Sequence, residues 1–205
     1  MTTVLITGFG RFPGAPSNPS GPLALALAKR RRPAFADIRR AVHVFETSYA
    51  AVDRDLPKLL AKHEPDIVLM FGLAARTPFV RIETRARNAV SILFPDVTGF
   101  RPTKHAIVRG KPPLQGASPF ARLLGAVRAT GTRSRVSRDA GRYLCNYVYW
   151  RALEASRSGT LEQFIHIPPV AKRPRVPGGK RRPSHAALVR TGEAILLALL
   201  AAHRH

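Results

Sequence analysis

Residues 4–29 read VLITGFGRFPGAPSNPSGPLALALAK: a short β-branched run, a loop rich in Gly, Pro and Ser, and a Leu- and Ala-rich segment that favours a helix. The same order of strand, loop and helix recurs further along. Residues 41–45 are strand-like, residues 52–63 have the apolar spacing of a helix, and residues 67–71 form a fully apolar strand that Gly72 closes. Short buried strands alternating with helices predict an α/β sandwich with a largely parallel central sheet.

The second half of the chain continues this pattern, with more irregular stretches. Residues 81–109 carry alternating apolar positions and turn signals, which predict strands joined by loops and antiparallel additions to the sheet. Helices are predicted over 119–130, 146–156 and 184–203, and strands over 134–137 and 163–167. Residues 168–183, rich in Pro, Gly and basic residues, predict a surface loop. No repeat or linker divides the sequence, so residues 1–205 are assigned to a single domain.

Composition narrows the class of protein. A single cysteine, Cys145, excludes an intrachain disulfide and leaves a free thiol, which favours a reducing compartment. The N-terminus lacks the basic region of a signal peptide, so we expect a cytoplasmic protein. Residues 186–202 are apolar, but Arg190 and Glu193 interrupt them, which predicts a buried or amphipathic helix and no membrane insertion. Neither a metal nor a cofactor is expected, because the sequence has no metal-ligand spacing, phosphate loop or dinucleotide motif.

The chain is strongly basic, with 34 Lys plus Arg against 12 Asp plus Glu and a formal net charge of +22. Such a charge raises the question of nucleic-acid binding. The basic residues are spread along the chain, with one dense cluster at Lys172–Arg182, and that cluster contains no aromatic residue to stack on a base. An arginine-rich solvated surface is therefore favoured over a nucleic-acid site.

Three residues could carry nucleophilic chemistry, although each alone is a weak signal. Cys145 opens a predicted helix, where unpaired amides and the helix dipole would lower the pKa of its thiol and could hold an oxyanion. His166 ends an apolar strand just before two prolines, where open α/β sheets build their sites. Glu83 could orient that imidazole, or merely pair with a neighbouring arginine. An inert buried cysteine and a core histidine are the commoner roles of such residues.

Four segments spread over nearly the whole length stand out: VLITGFGRF at 4–12 with NPS at 18–20, GLAAR at 72–76 followed by Ile82 and Glu83, SRDAGRYLCN at 137–146, and FIHIP at 164–168. In this order they resemble the motifs of the pyroglutamyl peptidase I family of cysteine peptidases, whose fold is a three-layer α/β/α sandwich with a mostly parallel, mixed central sheet. The resemblance implies the α/β/α fold and removal of an N-terminal pyroglutamyl residue from peptides through an acyl-enzyme. It also implies that Cys145 is the nucleophile, His166 the general base and acid, and Glu83 the residue that orients the histidine.

The resemblance further implies a pocket for the pyrrolidone ring. Phe9 and Phe12 match the aromatic positions that hold the ring, and Asn18 matches a polar residue beside it. A flat lactam suits stacking on aromatic faces, while its NH and C=O need a few polar partners.

Departures from the family pattern bear on substrate choice more than on the triad. Leu73 stands where Gln is usual and Thr84 where Arg is usual, SILF at 91–94 replaces a stretch that tends to carry an Arg, and Gly10-Arg11 stands where an acidic residue and Pro are common. One alternative function is therefore the same triad acting on another N-terminally blocked or cyclic amide.

A second alternative comes from the charge. In this alternative the protein has lost catalytic activity and binds nucleic acid or another anionic surface through Lys172–Arg182. The oligomeric state does not follow from the sequence, and a homo-oligomer stays open.

Overall fold

The computed structural model describes residues 1–12, 14–171 and 182–204. Within these ranges the strands are β1 (Thr2–Phe9), β2 (Ile38–Phe45), β3 (Ile67–Leu73), β4 (Val80–Glu83), β5 (Arg85–Ala86), β6 (Leu114–Gln115), β7 (Ser134–Ser137) and β8 (Leu161–Ile167). The α-helices are α1 (Ser20–Lys29), α2 (Tyr49–His63), α3 (Phe120–Ala129), α4 (Leu144–Ala155) and α5 (His185–His203), and a short 3-10 helix spans Pro33–Phe35. The alternation of strands and helices follows the predicted order.

Six strands form one mixed sheet in the order β2-β1-β3-β8-β4-β7. Strands β2, β1, β3 and β8 are parallel, β4 runs antiparallel to β8, and β7 is parallel to β4. The sheet is thus mostly parallel and mixed, as predicted, and β4 is the antiparallel addition expected from the middle of the chain. Strands β5 and β6 form a separate two-stranded ladder.

Helices cover both faces of the sheet. Residues of α1, α3 and α5 share one apolar core with half of the strand side chains, and residues of α2 and α4 share a second core with the other half. In β3, for example, Leu69 enters the first core and Met70 the second, because successive side chains of a strand point to opposite faces. A strand buried on both faces has to be apolar throughout. The predicted α/β/α sandwich is confirmed.

The closing helix α5 is long and apolar enough to cross a membrane by length and composition, with a mean hydropathy of 1.5. Half of it is nevertheless buried inside the fold, where Leu188, Ile195 and Leu199 pack in the core shared with α1 and α3. Ser184 caps its first turn, since the Ser184 hydroxyl accepts a hydrogen bond from the amide of Ala187 at 3.1 Å. This is the buried helix that the sequence predicts.

The stretch from 81 to 109 differs from its prediction, because strand structure there is confined to β4 and β5 and residues 87–113 are irregular. Asn88 explains part of this difference. Its side-chain amide donates to the carbonyls of Val108 and Lys111, both at 2.6 Å, and its Oδ1 accepts from the amide of Val108 at 2.9 Å. A side chain thus supplies bonds that a neighbouring strand would otherwise make. Of the predicted basic loop at 168–183, residues 172–181 lie outside the described residues.

Candidate active site

Cys145 is the second residue of α4, at the helix N-terminus that the sequence predicts. Gly141, with φ +89°, turns the chain into this helix, a conformation that glycine adopts without strain. The next residue, Asn146, is buried, and its side chain bonds to both backbone groups of Arg87 at 2.8 Å and to the carbonyl of Ala89 at 2.9 Å. The start of α4 is therefore firmly tied to the loop that follows β5.

The thiol lies against β3 at Gly72. A Cβ built on Gly72 would lie only 2.7 Å from Cys145 Sγ and 2.6 Å from Phe164 Cζ. Gly72 is also the register partner of His166 in the parallel ladder between β3 and β8. The missing side chain at this position leaves room for the sulfur beside the strand that carries the histidine. Within the described ranges, no hydrogen bond yet joins the sulfur to the imidazole, which is common in unliganded sites.

His166 and Glu83 lie on neighbouring strands and are in direct contact. His166 Nδ1 is 2.7 Å from Glu83 Oε1, the carboxylate is fully buried, and the histidine is 4% exposed. With its hydrogen on Nδ1, the imidazole donates to Glu83 and keeps Nε2 as an acceptor. The ring of Phe164 packs edge-on against the imidazole, with centroids 4.9 Å apart. This arrangement allows a carboxylate to orient a general base.

The protonation states follow from burial. Burial lowers the pKa of His166, and the neighbouring Glu83 offsets this effect only in part. Burial raises the pKa of Cys145 to about 12, and the negative charge of Glu83 adds to the rise. The lowered thiol pKa predicted from the helix N-terminus is therefore wrong for the resting site, because lost hydration outweighs the helix amides. The resting pair is a thiol and a neutral imidazole.

Arg81 joins this group, although the sequence indicates it only as an ion-pair partner of Glu83. Its Nε lies 3.0 Å from Glu83 Oε1, and its Nη2 lies 2.9 Å from His166 Nδ1. Both alternatives for Glu83 are thus realised together, since one carboxylate oxygen contacts the histidine and the arginine. The contact between Arg81 and His166 escapes sequence analysis because it depends on the register of two antiparallel strands.

An apolar groove with a volume of about 420 Å³ is lined by Phe12, Gly14, Phe94, Pro95, Asp96 and Tyr143. The Tyr143 hydroxyl donates to the carbonyl of Pro95 at 2.8 Å. This bond ties the loop that carries Phe94 to the segment just before Cys145. Phe94 and Tyr143 are missed by sequence reasoning because the irregular segment around Phe94 has no periodicity.

Asp96 holds the outer wall of this groove in place. Its carboxylate accepts hydrogen bonds from the amides of Tyr49, Thr98 and Phe100 and from the Thr98 hydroxyl, at 2.7–3.1 Å. Burial favours the neutral acid, but these hydrogen bonds outweigh it, so the pKa of Asp96 lies below its ordinary value. A fixed negative charge therefore sits at one side of the groove.

The three residues predicted to bind the ring have different surroundings. Phe12 lines the groove, whereas Phe9 is buried and packs against Phe45 with centroids 5.8 Å apart. Asn18 donates to the carbonyl of Gly10 at 2.9 Å and accepts from the amide and hydroxyl of Ser20 at 3.1 and 2.8 Å. Asn18 thus holds the loop between β1 and α1 in shape. A contact of Phe9 or Asn18 with substrate stays a prediction.

A family model described as pyroglutamyl peptidase matches residues 2–203. This chain belongs to the pyroglutamyl peptidase family. It is similar to the pyrrolidone-carboxylate peptidase of Clavibacter michiganensis subsp. michiganensis, with 36% identity over 82% of this chain and 79% of that relative. It is also similar to that of Thermococcus kodakarensis, with 32% identity over 80% of each chain.

Solved pyrrolidone carboxyl peptidase structures share the fold over 98% of this chain. A mutant pyrrolidone carboxyl peptidase from Pyrococcus furiosus superimposes with a TM-score of 0.88 at 25% identity, covering 98% of this chain and 100% of that one. The enzyme from Thermococcus litoralis gives 0.87 at 26% identity, covering 98% and 94%. The family and the fold class predicted from the four motifs are confirmed.

Proposed function

We propose that this chain is a cysteine peptidase that removes an N-terminal pyroglutamyl residue from peptides, with Cys145, His166 and Glu83 as its triad. The observation that carries the proposal is the 2.7 Å contact between Glu83 Oε1 and His166 Nδ1, beside a thiol at a helix N-terminus. Membership of the pyroglutamyl peptidase family over residues 2–203 supports the reaction. The single cysteine and the free thiol that the reaction needs fit a reducing compartment, and we propose the cytoplasm as the location of the enzyme.

The reaction starts from the neutral pair of thiol and imidazole. His166 Nε2 takes the thiol proton while Sγ attacks the carbonyl that joins the pyroglutamyl residue to the peptide. Backbone amides in the first turn of α4 are the donors available to the oxyanion. The imidazolium, which Glu83 stabilises, protonates the leaving amine. Water then attacks the thioester with His166 as base, which releases pyroglutamate and restores the thiol.

The groove that Tyr143 lines, two residues before Cys145 in the chain, supports a flat, uncharged ring as the substrate group. The aromatic faces of Phe12, Phe94 and Tyr143 are suited to stacking on a lactam. A free ammonium would lose its hydration on entering this lining, and the Asp96 carboxylate is already engaged by four hydrogen bonds within the protein, so peptides with an unblocked N-terminus are expected to be poor substrates. Thr84, which stands where the family usually has Arg, does not line this groove. Its hydroxyl instead donates to the carbonyl of Ser137 at 3.2 Å, next to the strands β4 and β7.

The test is hydrolysis of a pyroglutamyl reporter amide by the purified protein, with Cys145→Ala and Cys145→Ser as controls. We expect turnover by the wild type only, because a serine hydroxyl lacks the acidity that this base can use. Full turnover after alkylation of Cys145 would make the cysteine structural. A panel of other N-terminally blocked and cyclic amides completes the design, and preference for one of those would replace pyroglutamate as the substrate.

A further inference from the structure

Arg81 lies where the strand register brings it onto the catalytic pair. In the antiparallel ladder of β4 and β8, Arg81 faces His166 directly, and Glu83 follows two residues later on the same side of the strand. The side chain of Arg81 is 24% exposed, against 0% for Glu83. Guanidinium, imidazole and carboxylate therefore share one face of the sheet, at the edge between the buried site and solvent.

The geometry creates a competition at a single nitrogen. His166 Nδ1 lies 2.7 Å from Glu83 Oε1 and 2.9 Å from Arg81 Nη2. A neutral imidazole carries either a hydrogen or a lone pair at this atom, so it can donate to Glu83 or accept from Arg81, but not both. Donation to Glu83 is the state that leaves Nε2 ready to accept the thiol proton.

Arg81 also contacts the carboxylate that favours this state. Its Nε lies 3.0 Å from Glu83 Oε1, the same oxygen that faces the imidazole. In the described part of the chain, Glu83 Oε2 has no hydrogen-bond partner. The guanidinium thus attracts the oxygen that His166 uses through its charge, since among the described residues Arg81 Nε makes no hydrogen bond to it.

Acidic and basic side chains shift the pKa values of His166 and Cys145 in opposite directions. Apart from burial, the groups that act on His166 are Glu83 and Asp139, which favour the imidazolium, and Arg81, which favours the neutral ring. At Cys145, Glu83 opposes the thiolate and Arg81 favours it. A fully buried carboxylate by itself would therefore keep both groups protonated over a wider pH range, and Arg81 balances it.

We propose that Arg81 is a positioning residue of the triad, which fixes Glu83 Oε1 against the imidazole and balances the carboxylate charge. The inference rests on the proposed roles of Cys145 and His166. The inference predicts the direction in which the pH–activity profile moves when Arg81 is replaced. Loss of the cation raises the pKa of both His166 and Cys145, so both limbs of the pH–activity profile move toward higher pH.

The experiment compares Arg81→Met, which keeps an apolar stem and removes the charge, with Arg81→Lys, which keeps the charge. Arg85→Met is the matched control, because Arg85 bonds to the carbonyl of Arg138 and not to the triad. The profile of kcat/KM against pH is measured with the pyroglutamyl reporter amide. Iodoacetamide alkylation of the resting enzyme is followed over the same pH range, and it reports Cys145 alone because the chain has a single cysteine.

For Arg81→Met we expect both limbs and the alkylation curve to move up by about one pH unit. Alkylation at a fixed pH then slows about tenfold, since one unit is a tenfold change in thiolate fraction. We also expect kcat to fall with little change in KM, because the contacts of Arg81 are with Glu83 and His166, which act in the chemical step. Arg81→Lys restores the position of the limbs, and Arg85→Met leaves them where the wild type has them.

Unmoved limbs and an unmoved alkylation curve in Arg81→Met would overturn the inference, even if kcat fell, because a merely structural role lowers rates without changing proton affinities. Arg81→Gln supplies a second uncharged side chain should the methionine variant fail to fold. The two proposals fail separately. A wild type that does not cut the reporter sinks the proposed function, while the alkylation curves still decide the role of Arg81.

Discussion

Replacing Gly72 with alanine tests how closely the site is packed. The methyl group would lie 2.7 Å from Cys145 Sγ and 2.6 Å from Phe164 Cζ. Ordinary contacts between such atoms lie at about 3.5–4.0 Å, so about 1 Å of movement is needed. Phe164 is fully buried between Tyr149 and His166, with ring centroids 5.8 and 4.9 Å away, and has little room to move. We expect the sulfur to be displaced.

The magnitude follows from that displacement. A misplacement of about 1 Å at the reacting centre costs about 100-fold in rate, so we expect Gly72→Ala to lower kcat by about two orders of magnitude. Overpacking a well-filled core costs about 1–3 kcal/mol, so the variant should be less stable but still folded. The effect on KM should be small, because the groove residues Phe12, Phe94 and Tyr143 are untouched.

The assay is steady-state hydrolysis of the pyroglutamyl reporter amide, together with urea denaturation of the same preparations. Gly125→Ala is the matched control. Gly125 lies in α3, and a Cβ there meets nothing within 4 Å. The control should therefore keep full activity and gain up to about 1 kcal/mol of stability from the higher helix propensity of alanine. Wild-type turnover in a folded Gly72→Ala variant would refute the placement of the sulfur against β3.

Three further predictions concern charge. Glu83→Gln should lower kcat by about 10³–10⁴-fold with little change in KM, because the amide no longer holds the required tautomer of His166, whereas a raised KM at constant kcat would place Glu83 in the binding pocket. The raised thiol pKa of Cys145 favours folding below its ordinary value of about 8.5, and this contribution is lost as pH rises toward 12. In urea titrations, wild type should therefore weaken relative to Cys145→Ala above about pH 8.5, and parallel curves would contradict the shift. Finally, if the cluster at Lys172–Arg182 borders the site, peptides with Asp or Glu after the blocked residue should be cut faster than neutral peptides at low salt. They should lose this advantage near physiological salt, where screening limits the reach of exposed charges to about 8 Å. Equal rates at low salt would show that the cluster does not border the site.

The fold is predictable from this sequence because its main signals are local. The strand at Ile67–Leu73 is apolar on both faces and ends in a glycine-containing segment, and the helix at Tyr49–His63 has a regular apolar stripe. The segment from 87 to 113 is different. Its backbone is held by side chains such as Asn88 and Asn146, whose partners are 20 or more residues away. Such bonds leave no periodic trace in the sequence.

The candidate site likewise has parts that the sequence predicts and parts that it does not. The positions of Cys145 and His166 at element ends follow from local pattern, since a helix start and a strand end can be read directly. The contact of Arg81 with His166 depends on the register between β4 and β8, which tertiary packing sets. The direction of the thiol pKa depends on how much water the finished fold removes, so the helix dipole, which is local, predicts the wrong sign.

Arg81 lowers the pKa of the Cys145 thiol, but burial and the charge of Glu83 act on it more strongly and raise it. Two arginines around the site are matched by acids, since Arg81 contacts Glu83 at 3.0 Å and Arg87 contacts Asp139 at 3.3 Å. These pairs leave burial as the dominant influence on Cys145, which is why its thiol stays protonated in a protein of net charge +22. Activation then has to come from His166 at the moment of attack. The surplus charge acts at longer range, on the approach of peptides, and that approach is the step that salt would change.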